Sequence, residues 1–336
     1  MLSQSLSLPL ALLSASALFP SLASGHIALW NPGLYGFNGT DNSVAQYNTA
    51  AAVGPLRKYD NLTQSEWFGH GFLDLPPKDG DFMELTPGKT ETFELSCNRA
   101  FTSYRSPTDT GDLPEYACTG EGPLHTVNNF NDTTPVNTTL LGGCVLAIAY
   151  ESDVTKLRPE FFSVFSVNHT CVWTREIDFQ VPKDMPACPE GGCHCSWNWI
   201  HTSGNYNAEG RGEGYGDEMY HNMYRCRINN ATNTTAVVDT PKVAAKCEGD
   251  TSSCTPGAKQ PHYWSQLDGN NNNSTIPPLY NMIYGWADGA QNDIFVTSTK
   301  SKSDDSSAAR SMPALSAKNI FLMATAILAS IVTIKS

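Results

Sequence analysis

Ten cysteines behind a secretory leader constrain this chain more than any other feature. Residues 1–25 read as a signal peptide, with a Ser-rich start, an apolar run over 6–19 and Ala23-Ser24-Gly25 as a small-residue cleavage site. The cysteines are Cys97, Cys118, Cys144, Cys171, Cys188, Cys193, Cys195, Cys226, Cys247 and Cys254. In an oxidising compartment an even set of this kind most simply closes five disulfides, and the sequence leaves their pairing open. Sequons at Asn38, Asn61, Asn131, Asn137, Asn168, Asn230, Asn233, Asn272 and Asn273 mark the surface of an extracellular glycoprotein; the adjacent last two are not expected to be glycosylated together.

The far end carries a second processing pattern. Small residues Ser306, Ser307, Ala308 and Ala309 precede a spacer over 310–318 and an apolar run over 319–334. That order is the pattern of a glycosylphosphatidylinositol-anchor signal, with a single-pass tail anchor as its alternative. The chain therefore divides into a leader (1–25), one substantial domain with a C-terminal extension (26–295), a Ser/Thr-rich linker (296–309) and a tail that anchoring removes (310–336). Its formal charge is −12, and losing the tail takes away Arg310, Lys318 and Lys335 and no acid. Such acidity argues against nucleic acid as a partner and contributes to solubility. A monomer is expected, touching a membrane only through the lipid.

Between the processing signals the chain reads as all-β. Short runs rich in β-branched and aromatic residues, at 91–97, 144–150, 161–167, 171–174, 196–201 and 218–227, alternate with Gly, Pro, Asn and Asp clusters. Many short strands with long polar connections predict an antiparallel β-sandwich with disulfide-held loops. Residues 31–90 hold few strand signals, and 237–295 read as a turn-rich extension wrapping the sandwich. The Gly-rich stretch 204–216 has neither the Lys-Ser/Thr ending of a phosphate loop nor a dinucleotide fingerprint, and reads as a hairpin tip.

Common hydrolase signatures are missing: there is no G-x-S-x-G elbow, no H-E-x-x-H helix and no P-loop. Cys188, Cys193, His194 and Cys195 imitate a zinc site, but the compartment favours disulfides. The histidines remain, and one is special. Cleavage after Gly25 makes His26 the first residue, so that its α-amine and Nδ1 can chelate one metal ion. A second imidazole would complete a T of three nitrogens, a set suited to Cu(II).

The second ligand must come from His70, His125, His169, His194, His201, His221 or His262. His125, in the Pro-anchored turn Gly122-Pro123-Leu124-His125-Thr126, is placed to reach a surface site. His169 lies inside a sequon and His194 between two cysteines, which disfavours both. If 218–227 is a strand, Glu218, Tyr220, Asn222 and Tyr224 share one face, and Met219, His221 and Met223 the other. A tyrosine beside a carboxylate could fill or shield the axial position of a copper, although a tyrosine packed near a disulfide is the commoner case. Trp67, Trp197, Trp199 and Tyr215 are candidates either for sugar stacking or for packing.

These residues resemble a known family. His-Ile-Ala-Leu-Trp-Asn-Pro-Gly-Leu-Tyr-Gly-Phe-Asn from His26, Phe-Ser-Val-Asn-His-Thr-Cys-Val-Trp from Phe165, Gly-Ala-Lys-Gln-Pro from Gly257 and Asp-Gly-Ala-Gln-Asn-Asp from Asp288 are similar to the fungal lytic polysaccharide monooxygenases of auxiliary-activity family fourteen. The resemblance implies an immunoglobulin-like β-sandwich with an exposed histidine-brace site holding one copper ion. It also implies oxidative attack on xylan associated with cellulose, using an external electron donor and oxygen or hydrogen peroxide. Carried over, it gives His26 and His125 as copper ligands, Tyr220 as the axial tyrosine with Tyr224 as alternative, Glu218 as the acidic neighbour and His201 as an outer partner. The rival reading is a surface copper-binding protein that serves copper acquisition or wall maintenance and cleaves no glycan.

Overall fold

The computed structural model describes residues 26–37, 52–108, 110–118, 141–201, 218–248 and 250–297. In chain order the strands are β1 (Ala28–Trp30), β2 (Leu56–Arg57), β3 (Met83–Leu85), β4 (Thr90–Ser96), β5 (Cys144–Ala149), β6 (Ser163–Asn168), β7 (Glu176–Gln180), β8 (Cys193–His201), β9 (Glu218–Ile228), β10 (Ala236–Val238), β11 (Gly289–Ala290) and β12 (Phe295–Thr297). One four-residue helix, α1 (Gln64–Trp67), joins them; Thr63 and Glu66 close a capping box at its start. The predicted all-β sandwich is the fold observed. Of the expected strands, 171–174 is not one: it forms a turn, with Thr174 bridged to Tyr116.

A three-stranded sheet, β1-β4-β7, lies against a seven-stranded one ordered β11-β6-β5-β8-β9-β2, with β3 added in parallel to the far end of β9. Leu29, Phe93, Leu95, Ile177 and Phe179 of the small sheet meet Leu146, Ile148, Phe165, Trp197, Trp199, Tyr220 and Tyr224 of the large one in a single apolar core. The alternation that the sequence predicts for β9 is observed. Tyr220 and Tyr224 enter this core, and Met219 and Met223 point to the opposite face.

That opposite face is also buried. Val145, Ala147, Ala149, Ile200, Met219 and Met223 are covered by Trp67, Phe68, Tyr263, Trp264, Tyr280, Tyr284 and Trp286, which come from α1 and the 237–295 extension. The large sheet is thus the middle of three layers, and all nine residues of β8 are buried. Burial on both sides makes polar residues pair. His221 donates from Nδ1 to Asn198 Oδ1 (2.5 Å), and Asn198 donates to Ser196 Oγ (2.9 Å).

Five disulfides pin the loops: Cys97–Cys118, Cys144–Cys171, Cys188–Cys193, Cys195–Cys226 and Cys247–Cys254, with no cysteine left over. Cys195–Cys226 cross-links β8 and β9 directly, beside Trp197. The run around Cys188, Cys193 and Cys195 is therefore a pair of disulfides and not a metal site. His194 is occupied as well, between Tyr35 Oη (2.9 Å) and the Glu151 carbonyl (2.7 Å).

The outer layer encloses a titratable group. His262 is 1% exposed and lies within 5.1 Å, ring centre to ring centre, of Tyr280, Tyr284 and Trp286. Burial lowers its pKa to about 3. The ring folds neutral and takes up a proton on unfolding. Its stabilising contribution is whole above about pH 6.5 and shrinks as pH falls, at up to about 1.4 kcal/mol per pH unit, until the folded-state value is reached. Thermal unfolding of wild type and His262→Gln, compared from pH 7 to pH 4.5, is expected to show a shallower acid decline in the variant. Parallel declines would mean that His262 is not a source of the acid sensitivity.

Candidate functional site

The site is built where the first described residues cross the end of β9. His26 leads directly into β1, whose Ala28 pairs with Ser96 of β4. Further along, the same segment is fastened to β9 by the Leu34–Tyr224 bridge and by Arg225 donating its N–H to the Gly33 carbonyl (2.9 Å). Gly33 is required there, because a Cβ would stand 2.5 Å from the Arg225 carbonyl oxygen. These contacts bring the segment from His26 back over Glu218 and Tyr220.

His26 keeps 27% of its side chain exposed, and its Nε2 lies 3.8 Å from Oε1 of the buried Glu218. The other carboxylate oxygen, Oε2, is buried with no hydrogen-bond partner among the described residues. The Tyr220 hydroxyl is in the same condition. Its pKa is raised well above the usual phenol value, first by burial and then by the Glu218 charge, with a smaller opposing effect from the Ile27 backbone. Tyr220 is therefore a neutral phenol facing the backbone next to His26. His201, 1% exposed, is the cross-strand partner of Glu218 in the β8–β9 register and packs edge-on to Trp199 (5.2 Å).

Unsatisfied buried oxygens in a native fold call for a cause. Two of them beside a half-exposed imidazole form a mixed nitrogen and oxygen donor set, which fits a tetragonal copper better than a thiolate-seeking metal. His125, the second imidazole of the expected brace, lies outside the described residues. Among the described residues no group of three or more His, Cys, Asp or Glu is close enough to hold an ion.

The other candidates are separated from this place. Tyr224 donates its hydroxyl to the Leu29 carbonyl (2.7 Å) inside the core, which commits it to structure. His169 donates from Nε2 to the Trp286 carbonyl (3.1 Å). Trp67, Trp197 and Trp199 are at most 2% exposed, so they pack the interior and offer no sugar platform; Tyr215 lies outside the described residues.

Sequence reasoning missed the role of His70. Between β2 and β3 the outer edge of β9 has no regular partner strand among the described residues, and His70 fills part of the gap by accepting the His221 N–H at its Nδ1 (3.5 Å). Its Nε2 donates to the Gly54 carbonyl (2.5 Å), which fixes the tautomer. The imidazole stacks on Tyr220 (5.9 Å, 19°), while Trp199 stacks on the same ring from the β8 side (4.8 Å, 29°). Holding it there requires φ = +60° at a non-glycine residue, a conformation that persists only where surrounding contacts enforce it. A lone histidine after Trp67-Phe68-Gly69 carries no signal of this in the sequence.

Comparison with known proteins agrees with the geometry. The family model for lytic polysaccharide monooxygenase AA14 matches residues 8–335. An "AA14 family lytic polysaccharide monooxygenase B" from Pycnoporus cinnabarinus is 43% identical over 301 residues, spanning 85% of this chain and 74% of that protein. A protein of the same description from Trametes coccinea (strain BRFM310) is 42% identical, over 85% of this chain and 66% of its own length. An "AA14 family lytic polysaccharide monooxygenase A" from the latter fungus is 37% identical, over 86% of this chain and 65% of its own length. The chain thus spans between about two-thirds and three-quarters of these relatives. It belongs to the AA14 family of lytic polysaccharide monooxygenases, which are copper-dependent oxidoreductases.

Proposed function

We propose that the mature protein begins at His26 and is a copper-dependent monooxygenase that cleaves xylan, including xylan bound to cellulose, outside a fungal cell. The observation that carries this reading is that the part-exposed His26 meets the buried Glu218, with Tyr220 set against the Ile27 backbone, and that Glu218 Oε2 and the Tyr220 hydroxyl have no hydrogen-bond partner among the described residues. Loss of the leader would turn the His26 backbone nitrogen into an amine. That amine, His26 Nδ1 and His125 would hold the metal, with Tyr220 as a neighbouring phenol. When bound, copper supplies one-electron redox chemistry by which an external electron donor and oxygen or hydrogen peroxide oxidise a sugar C–H bond beside the glycosidic link.

The chain's own residues set the conditions for that chemistry. Trp199 and His70 hold the Tyr220 ring in place, and burial keeps its hydroxyl protonated, so this side is closed by a neutral group. Glu218 is an acceptor that can hold or pass a proton, with Oε1 3.8 Å from Nε2 of the His26 imidazole. His201, its cross-strand neighbour, would steer that carboxylate. The side of His26 left exposed is where a polymer can approach.

The disulfide-rich fold supports secretion. No helix among the described residues is long and apolar enough to cross a membrane. The lipid-anchor tail falls outside the described residues, and the tethered location stays part of this proposal.

Copper titration of the natively secreted protein is expected to show one tightly bound ion, lost from a form with one extra residue before His26. Equal weak binding by both would remove the brace. Incubated with xylan–cellulose and a reductant, the loaded protein is expected to release oxidised oligosaccharides; copper binding without such products would leave the surface copper-binding reading. Glu218→Gln should keep copper stoichiometry and lose roughly 10–100-fold in turnover, as outer partners of metal ligands do. Tyr220→Phe should change the Cu(II) electron paramagnetic resonance spectrum, and an unchanged spectrum would take Tyr220 out of the axial position.

A further inference from the structure

The described sequons present their amides very differently. Asn168 donates Nδ2 to the Asp178 carbonyl (3.0 Å), and Asn233 donates to Asp184 Oδ1 (3.1 Å). Asn272 turns inward and donates to Nδ1 of the buried His262 (3.1 Å), whereas its neighbour Asn273 is exposed. Asn61 and Asn230 are exposed and take the left-handed conformation, with φ of 50° and 54°.

Asn61 alone among these has an aromatic residue two positions earlier. Tyr59 is 68% exposed, the most exposed of the large apolar side chains among the described residues. Its ring is not free to wander. The Arg57 guanidinium lies over one face, 5.4 Å from the centroid, and is itself fixed by a two-pronged bond to Asp60 (3.0 and 3.1 Å). Asn61 closes the 3-10 turn over Lys58–Asp60, and its Nδ2 lies 3.3 Å from the Tyr59 carbonyl oxygen. The reversal sets the Asn61 amide beside Tyr59, whose second ring face meets solvent. A pyranose presents a face of axial C–H bonds that packs well on such a ring, the same apolar and quadrupolar complementarity that aromatic side chains use with one another.

We propose that Asn61 carries an N-linked glycan whose first N-acetylglucosamine packs on the open face of Tyr59. The linkage forms between Nδ2 and the sugar C1. Nδ2 loses one proton, and the C1–O bond to a lipid-linked pyrophosphate donor breaks, with the pyrophosphate oxygen keeping the electron pair. The contact exists only when the turn is folded, so it stabilises the native state. The inference requires passage through the secretory pathway but not the monooxygenase reading.

The full chain secreted from a yeast host that adds high-mannose glycans provides the test. Intact-glycopeptide mass spectrometry should find Asn61 occupied. An endoglycosidase that leaves one N-acetylglucosamine should keep thermal stability, and an amidase that removes the whole glycan should lower Tm by about 2–4 °C, a shift of the size a modest single contact gives in a domain this large. That difference should fall to less than half in Tyr59→Ala. An unmodified Asn61 alongside occupied neighbours, or an equal difference in wild type and Tyr59→Ala, would overturn the proposal. A chain with no glycan anywhere would instead count against secretion itself.

Discussion

The pairing of β8 with β9 is the contact on which the rest of this molecule depends. Nine consecutive residue pairs join the two strands from Cys193–Cys226 to His201–Glu218, and the Cys195–Cys226 disulfide locks the register. A slip of one residue would turn every side chain to the other face. Tyr220 would leave the sandwich core for the methionine face, and Glu218 would no longer stand opposite His201. The ladder therefore does more than hold a sheet together. It fixes which face of β9 the segment from His26 meets.

Three-layer burial explains why so many polar residues are enclosed without disrupting the fold. The large sheet packs on the small sheet on one side and on an aromatic-rich wrap on the other. In that interior a charged imidazole is unfavourable, and burial pushes His70 down to about 4 and His221 and His262 to about 3. These rings remain neutral and serve as directional hydrogen-bonding groups. His26, by contrast, keeps part of its side chain in water, and the residues that face it are acceptors or neutral donors. The buried rings thus serve the architecture, whereas the His26 ring meets solvent.

Tyr220 shows how several weak constraints together produce a well-defined position. Trp199 stacks on it from the neighbouring strand, His70 from the strand edge, and Trp197 lies 6.1 Å away. Each contact is modest, of the order of 0.5–1.5 kcal/mol for an aromatic pair. Together they leave the ring little freedom, while the hydroxyl end is left without a partner among the described residues.

What the sequence determined by itself is local or periodic. The order of residues before His26 predicts a leader whose loss would place His26 first, the even cysteine count implies complete pairing, and the two-residue alternation over 218–224 puts Glu218 and Tyr220 on one face with Tyr224. Such properties depend on neighbours in the chain, so they can be read without a fold. Tertiary structure decided the rest. It chose which cysteines pair, buried Trp67, Trp197 and Trp199 away from any surface role, and sent the Tyr224 hydroxyl to Leu29 while setting that of Tyr220 against the Ile27 backbone. It also recruited His70 from 150 residues upstream of Tyr220 and turned Asn272 inward while leaving Asn273 outside. The physical reason is that burial and partner choice are set by contacts between segments remote in sequence, and neither composition nor period encodes which remote segment arrives.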